Sequence, residues 1–299
     1  MSLLLAIVID GLIYASWLFI IASGLSLIYG VMRVLNMAHG SFYAIGAYVT
    51  ASLVSWYFNH STLPAYGSFV LMFLAAPAVG IVLGVLVERG VLRFLIERGE
   101  LITVLVTFGL LLMFEDIIKL IWGVQSYYAF EPYGLLGSTD IGGLTFVNYD
   151  LAMIGVAAVV AVVLWWALNR TRFGKLLRAV IYDRELAVSI GINVSRVFVM
   201  TFATGVALGA LAGGLVAPSI TVTPGLGIEV IVLAFAVVVT GGLGSIQGAL
   251  LGAVMIGLAR AAAVNVYPEL ELFVIYAVMA TVLVFRPRGL FALATSRKI

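Results

Sequence analysis

Three polar side chains able to bind a solute, Asn36, His39 and Ser41, lie with Gly40 in an otherwise apolar part of the sequence. They separate two long apolar segments, so one helix is predicted to end and another to begin there. The free N–H groups at the start of a helix can bind a carboxylate, as in the broken helices of other transporters. We therefore predict that these four residues line a substrate pathway. The alternative is a structural turn at the membrane surface, which the nearby Arg33 favours.

A second break of this kind lies in the other half of the chain, in the sequence TGGLGSIQGA from Thr240 to Ala249. It adds Gly241, Gly242, Gly244 and Ser245 to the predicted pathway. Two breaks, one in each half, are typical of an internally duplicated transporter whose pathway lies between inverted repeats. A structural turn is the alternative for this break as well.

Charged residues within apolar segments are further candidates for chemistry. Glu115, Asp116 and Lys119 share one segment, and their spacing allows an intrahelical ion pair that neutralises the charge. The group is predicted to lie near the outer end of its helix, so an ion or proton site is the less favoured interpretation. Glu229 is predicted to open a helix after Pro224, in a structural role.

The motifs of common enzymes are missing. The chain has no cysteine, and neither H-E-x-x-H nor G-x-S-x-G occurs. The one Gly-Lys pair, Gly174-Lys175, has Asn169 where a P-loop needs its first glycine and Leu176 where it needs Ser or Thr. We predict no enzyme activity, no cofactor and no metal site in this chain.

One long interval, from Asn169 to Arg196, is charged and carries six of the sixteen basic residues. Such a loop is expected to face the cytoplasm. Within it, a helix of about two turns is predicted between Asp183 and Gly191. Asp183 would be its N-cap, and Gly191 would end it in the left-handed conformation. A short helix with an alanine on its contact face can enter a groove of a partner protein. The alternative is a surface helix whose arginines bind lipid headgroups.

The composition of the chain predicts that transmembrane helices position these residues. Of the 299 residues 64% are hydrophobic and 10% are charged, and the mean hydropathy is +1.20. A soluble globular protein has about a quarter charged residues, so the chain is predicted to be an all-α, polytopic membrane protein with a single domain over residues 1–299. The first apolar run continues past Asp10 to about Tyr29, which predicts an uncleaved first span.

Nine apolar segments follow one another at about residues 3–30, 40–58, 67–87, 101–122, 150–169, 197–217, 228–242, 246–265 and 270–286. They predict eight or nine transmembrane helices with broken or re-entrant segments, because 228–242 is short for a full crossing. With the N-terminus outside and the C-terminus in the cytoplasm, the inside loops hold fourteen of the sixteen Lys and Arg residues, Arg297 and Lys298 included. The outside loops hold none, which strongly favours this orientation.

Glycines at i, i+4 and i+8 predict close helix contacts: Gly205, Gly209 and Gly213, then Gly244, Gly248 and Gly252, and the pair Gly80 and Gly84. The longest outside connection, at about 123–149, has four tyrosines and no Lys or Arg. It is predicted to fold as a cap, either as part of an aromatic belt or as a docking surface for an extracellular partner.

Four patterns together resemble one family. They are E-x-A-x-x-x-G at Glu185, Ala187 and Gly191, N-x-A-H-G from Asn36, G-G-L-G-S-x-x-G-A from Gly241, and RPRGLF at Arg286–Phe291. They resemble LivH-type permeases, the branched-chain amino acid members of the ABC importers. The resemblance runs from Gly24 to Phe291, close to the full length of the chain.

The resemblance implies a transmembrane permease subunit of an ABC importer for a small polar solute, most simply a branched-chain or other hydrophobic amino acid. It assigns Arg184, Glu185, Ala187, Gly191 and Asn193, within a coupling loop at about 170–196, to contact with the ATPases. The implied partners are two cytoplasmic ATPase subunits that bind the ATP, a second LivM-like permease and an extracellular or periplasmic solute-binding protein. The implied location is the cytoplasmic (inner) membrane of a bacterium or archaeon. Membrane lipid is a further implied partner, and nucleic acid is not. The alternative is a stand-alone secondary transporter or channel.

Overall fold

All nine predicted apolar segments form helices. The computed structural model describes residues 2–95 and 98–291, so the cations predicted at Arg297 and Lys298 lie outside the described residues. The long helices are α1 (Ser2–Met32), α2 (His39–His60), α3 (Gly67–Gly90), α4 (Glu100–Trp122), α6 (Asn148–Arg170), α9 (Val194–Val216), α10 (Leu226–Gly241), α11 (Ile246–Val266) and α12 (Glu271–Phe285). The shorter ones are α5 (Glu131–Gly134), α7 (Arg172–Tyr182) and α8 (Arg184–Ser189).

Seven helices in the described part of the chain are long and apolar enough to cross a membrane, with α12 counted together with the 3-10 turn Pro268–Leu270 before it, 18 residues in all. The two other long helices flank the predicted breaks: α2 follows the first break, and α10 precedes the second. Helix α2 is long enough but more polar, and α10 has only 16 residues, which is short for a bilayer core of about 30 Å. The chain is therefore an all-α polytopic membrane protein with broken segments, as predicted.

Helices α2 and α10 both begin inside the bundle, with their N-termini head to head. His39, the first residue of α2, contacts the carbonyl oxygen of Ile21, which is about 17 Å along α1 from Met32. The next residue, Gly40, packs on the backbone of Gly227 at the start of α10 so closely that a Cβ at Gly40 would overlap the Gly227 carbonyl oxygen. The break predicted near Asn36 is therefore a re-entrant segment.

The packing is reciprocal between the two halves. Helix α1 runs antiparallel along α11, with Gly11 against Gly257, and α9 runs antiparallel along α3, with Ala203 against Gly84. If α1, α2, α3 and α4 are matched in order with α9, α10, α11 and α12, the contact of α1 with α11 corresponds to the contact of α9 with α3. This is the arrangement expected of the predicted inverted repeat.

The charged interval folds as two helices at one end of the bundle. Helix α8 matches the predicted short helix, since Asp183 accepts a hydrogen bond from the Leu186 N–H at 2.9 Å and Gly191 has φ +86°. Helix α7 was not predicted, although Leu177 and Val180 form its buried face. The charged loops at this end are joined by shared contacts: Arg93 and Arg184 line one cleft, Arg178 lies near Gly30, and Phe291 covers Gly242. We call it the cationic end.

The opposite end carries the folded cap predicted over about 123–149. Helix α5 is followed by an antiparallel hairpin of β1 (Ser138–Ile141) and β2 (Leu144–Val147), and Tyr127 pairs with Val222 in an isolated bridge. The hairpin was not predicted, yet its turn is Gly142-Gly143 with φ of 61° and 83°, a pair typical of the tightest hairpin turns. We call this the hairpin end.

Candidate translocation site

The backbone between α1 and α2 is held by one side chain of α4. The Thr107 hydroxyl oxygen lies 3.2 Å from the N–H of Met37 and 3.2 Å from the carbonyl oxygen of Leu35. Arg33, with φ +55°, turns the chain out of α1. These contacts satisfy backbone groups that a buried, non-helical segment would otherwise leave unpaired.

His39 sits between two glycines. Its ring contacts Gly24 of α1 and Gly209 of α9, where added Cβ atoms would lie 3.2 Å and 3.0 Å from its ring atoms. Its Nε2 lies 3.1 Å from the carbonyl oxygen of Ile21, so Nε2 carries the proton and donates. His39 and Asn36 are both fully buried, and the side-chain amide of Asn36 has no hydrogen-bond partner among the described residues. A turn at the membrane surface is therefore wrong for this motif.

The prediction that Glu115, Asp116 and Lys119 form one peripheral charge cluster is wrong for Glu115. Lys119 pairs with Asp116 at 3.2 Å on the outer surface of α4, as its spacing allowed. Glu115 instead turns inward and is 4% exposed. Its Oε2 accepts a hydrogen bond from the Gly225 N–H at 2.9 Å, and its Oε1 lies beside Gly227. The carboxylate thus caps the N-terminus of α10, where a negative charge is favourable. Spacing alone does not reveal which acid of the pair 115–116 faces inward.

The second glycine motif forms a turn at the cationic end. Gly242 and Gly244 have φ of 109° and 84°, and the Ser245 hydroxyl caps α11 by accepting from the Gly248 N–H at 3.0 Å. The Phe291 N–H donates to the carbonyl oxygen of Gly241 at 2.8 Å. Gly244 therefore belongs to this turn and not to the helical face predicted for it with Gly248 and Gly252.

The structure does not bring the two predicted sets of pathway residues together. Gly244 contacts Gly30, which is about 13 Å along α1 from Ile21, the residue that contacts His39. Ser41 bonds to the Leu111 carbonyl oxygen at 3.3 Å on the α4 side of the break. The assignment of both sets to one pathway stays a prediction.

The predicted coupling residues divide into inward and outward groups. Ala187 is buried against its own chain, so it is not the contact face of α8, and the prediction is corrected there. Arg184 stacks over the Phe198 ring at 5.5 Å, and Asn193 caps α9 by accepting from the Arg196 N–H at 3.0 Å. Glu185 and Gly191 are exposed. The apolar surface that faces outward from this segment consists of Leu186, Val188 and Ile190, each more than half exposed.

A cavity of about 500 Å³ near the hairpin end contains chemistry that the sequence analysis missed. Asp10, Asp150 and Arg260 lie on three different helices, α1, α6 and α11, and all three line it. We call it the outer cavity. Each of these residues is a single charge in its own apolar segment, so only the packing of the helices reveals the group.

Comparison with known proteins decides the family. The family model for the permease component of branched-chain amino acid transport systems matches residues 7–283. The chain belongs to this family. No solved structure matches the permease described here.

Three related permeases illustrate the likeness. The high-affinity branched-chain amino acid transport system permease protein BraD of Pseudomonas aeruginosa is 28% identical over 97% of this chain and 96% of its own length. The probable branched-chain amino acid transport permease protein LivH of Methanocaldococcus jannaschii is 30% identical over 83% of this chain and 78% of its own. The permease protein LivM of the high-affinity system of Salmonella typhimurium is 25% identical over 91% of this chain and 67% of its own.

Proposed function

We propose that this permease is the membrane-spanning subunit of an ATP-driven importer of α-amino acids with apolar side chains. The family match over residues 7–283 carries the proposal. The architecture supports it, because broken helices that meet inside an inverted repeat are a common plan for transport pathways. Asn36, His39, Gly40 and Ser41, with Gly241, Gly242, Gly244 and Ser245, remain the candidate pathway residues.

The energy for transport is proposed to come from other chains. The sequence has no P-loop, so two ATPase subunits would bind the ATP and dock at the cationic end. Leu186, Val188 and Ile190 form an exposed apolar patch on and just after α8, and this patch suits insertion into a groove of such a subunit. Because loops rich in Lys and Arg stay in the cytoplasm, the cationic end is assigned to the cytoplasmic side of the inner membrane.

Two further partners complete the proposal. The chain is similar to both a LivH and a LivM permease, which supports pairing with a second, related permease chain. The hairpin end, with exposed Tyr128 and Phe130, would then receive a solute-binding protein from outside. Aromatic residues are enriched at the centres of such interfaces.

Copurification tests this assembly directly. Tagged chain extracted in mild detergent from its native membrane should bring two ATPase copies and a second permease in fixed stoichiometry. A chain that purifies alone, and that takes up solute in vesicles along an ion gradient without ATP, would establish the secondary-transporter alternative instead.

A further inference from the structure

We infer that the outer cavity is a binding site for a zwitterionic α-amino acid with an apolar side chain. The inference deepens the proposed function and rests on it for the substrate class. The volume of about 500 Å³ lies within the range of about 300–1,000 Å³ typical of small-ligand pockets. The cavity also adjoins the head-to-head start of α2 and α10, since Tyr43, Leu226 and Val230 line it.

Two carboxylates provide the place for an ammonium group. Asp10 and Asp150 line the cavity from α1 and α6 and lie close enough to interact electrostatically. Each is held by one neighbour: Asp10 accepts from the Asn265 side chain at 3.4 Å, and Asp150 accepts from the Tyr133 hydroxyl. The second oxygen of each carboxylate has no hydrogen-bond partner among the described residues. An ammonium with three donors would relieve the repulsion between the two acids.

Tyr133 fixes the position of Asp150. Burial raises the pKa of the Tyr133 phenol, and its hydrogen bond to Asp150 raises it further. The phenol therefore stays protonated and donates to Asp150 at every physiological pH. One oxygen of Asp150 is thus occupied, which leaves the other to face a ligand.

Arg260 provides the place for a carboxylate. Its Nε donates to Glu271 Oε1 at 2.8 Å, and its Nη2 is paired with the same oxygen. The guanidinium lies 3.9 Å from the centre of the Tyr14 ring, which holds it in place. The Nη1 group has no partner among the described residues. A guanidinium donates well to carboxylates, so Nη1 can bind the carboxylate of the ligand.

An unpaired hydroxyl also faces this space. Tyr43 is 1% exposed and lines the cavity, yet its hydroxyl has no hydrogen-bond partner in the described part of the chain. Buried hydroxyls are almost always hydrogen-bonded, so a ligand or water is expected beside this one.

The remaining walls suit an apolar side chain. Trp17, Met153 and Leu233 line the cavity together with Leu226 and Val230. Three acids, Asp10, Asp150 and Glu229, line the cavity with one base, Arg260, whose charge is already shared with Glu271. A ligand that carries an ammonium is therefore preferred over a simple acid. A zwitterion with an apolar tail satisfies the acids, the base and the walls at once.

Direct binding of defined probes to the purified full-length chain tests the inference. We expect L-leucine to bind by calorimetry, with leucinamide and 4-methylpentanoate at least about tenfold weaker, because each lacks one of the two charges. A tenfold loss corresponds to about 1.4 kcal/mol, close to the lower end of the range of about 1.5–3 kcal/mol for one hydrogen bond to a charged group. Equal binding of the three compounds, or no binding of leucine, would overturn the site.

Variants locate the binding in the outer cavity. Asp150→Asn should weaken leucine and leucinamide by at least about tenfold and 4-methylpentanoate much less. The matched control is Asp140→Asn, an exposed carboxylate in the hairpin, which should change nothing. Unchanged leucine binding in a folded Asp150→Asn chain rules out this cavity, and if that variant does not fold, the three-probe series on the unmodified chain decides.

The outcome is separable from that of the proposed function. ATP-dependent leucine import by the assembled complex, without leucine binding to this chain, would overturn the site and leave the importer assignment intact. Selective binding of leucine to a chain that copurifies with no ATPase would support the site and contradict the importer.

Discussion

At the residue scale, close contacts at glycines determine how the N-terminus of α2 is packed. Gly40 lies on Gly227, and His39 fits between Gly24 and Gly209 because neither glycine has a Cβ. Small residues let helix backbones approach closely within a membrane, where apolar burial alone gives little drive for association. The close approach of α2 to α10, which we call the seam, therefore requires glycine at positions 40 and 227.

Gly40→Ala tests the seam. The added Cβ would overlap the Gly227 carbonyl oxygen, so we expect a loss of at least about 3 kcal/mol, above the usual cost of overpacking. The measurement is the folded fraction after heating, followed by size-exclusion chromatography in detergent. Gly109→Ala is the control, since a Cβ there meets nothing within 4 Å in the middle of α4. It should be neutral or slightly stabilising, and equal behaviour of the two variants would contradict the close approach of the backbones.

Glu115→Ala tests the cap of α10. Removal of a buried carboxylate that accepts from the Gly225 N–H should cost about 1–3 kcal/mol and lower the melting temperature. Glu115→Gln keeps an acceptor and should cost less. Asp116→Ala, which removes only an exposed ion pair, should cost less than about 1 kcal/mol. An Asp116→Ala loss as large as that of Glu115→Ala would refute the inward orientation.

At the element scale, local sequence patterns predicted where the long helices lie, but not which distant helices pack together. Apolar length alone identified all nine long helices, and Asp183 with Gly191 marked the ends of α8. The meeting of the α2 and α10 N-termini could not be predicted, because Gly40 and Gly227 are far apart in the chain. For the same reason the outer cavity, whose charges come one each from different helices, was not found. Helix α7 and the hairpin were not predicted, although both have local signals: the apolar pair Leu177 and Val180 in α7, and Gly142-Gly143 at the hairpin turn.

Val188→Glu tests the proposed docking patch on α8. Val188 is 57% exposed, so the chain should fold normally, whereas the charge should prevent an apolar contact with the ATPase. We expect at least a tenfold loss of copurified ATPase at unchanged yield of this chain. Leu63→Glu is the control, because Leu63 is 67% exposed in the loop after α2, away from the cationic end. Full ATPase binding by Val188→Glu would place the coupling contact elsewhere.

At the scale of the whole molecule, charge distinguishes the two ends. The described loop cations lie together at the cationic end, and the cap at the opposite end has no Lys or Arg. The first helix starts beside the hairpin, where Leu5 contacts Gly142, and Phe291 ends on Gly242 at the cationic end. The two termini of the described chain therefore lie at opposite ends, as an odd number of passages requires.

Single cysteines test the assigned orientation in this cysteine-free chain. Ser138 in the hairpin and Ser189 at the end of α8 are both exposed and lie at opposite ends. An impermeant maleimide added to intact cells should label Ser138→Cys and leave Ser189→Cys unmodified until the cells are opened. The reverse pattern would invert the topology, and labelling of both from outside would contradict a bundle that spans the membrane between them.

We propose that this permease carries apolar amino acids inward at the expense of ATP bound by partner chains. The most direct measurement is uptake of labelled L-leucine by proteoliposomes that contain the copurified complex and its solute-binding protein. We predict uptake that requires hydrolysable ATP on the ATPase side and is lost with a non-hydrolysable analogue. Uptake that proceeds equally without ATP, or that follows an imposed ion gradient, would contradict the account.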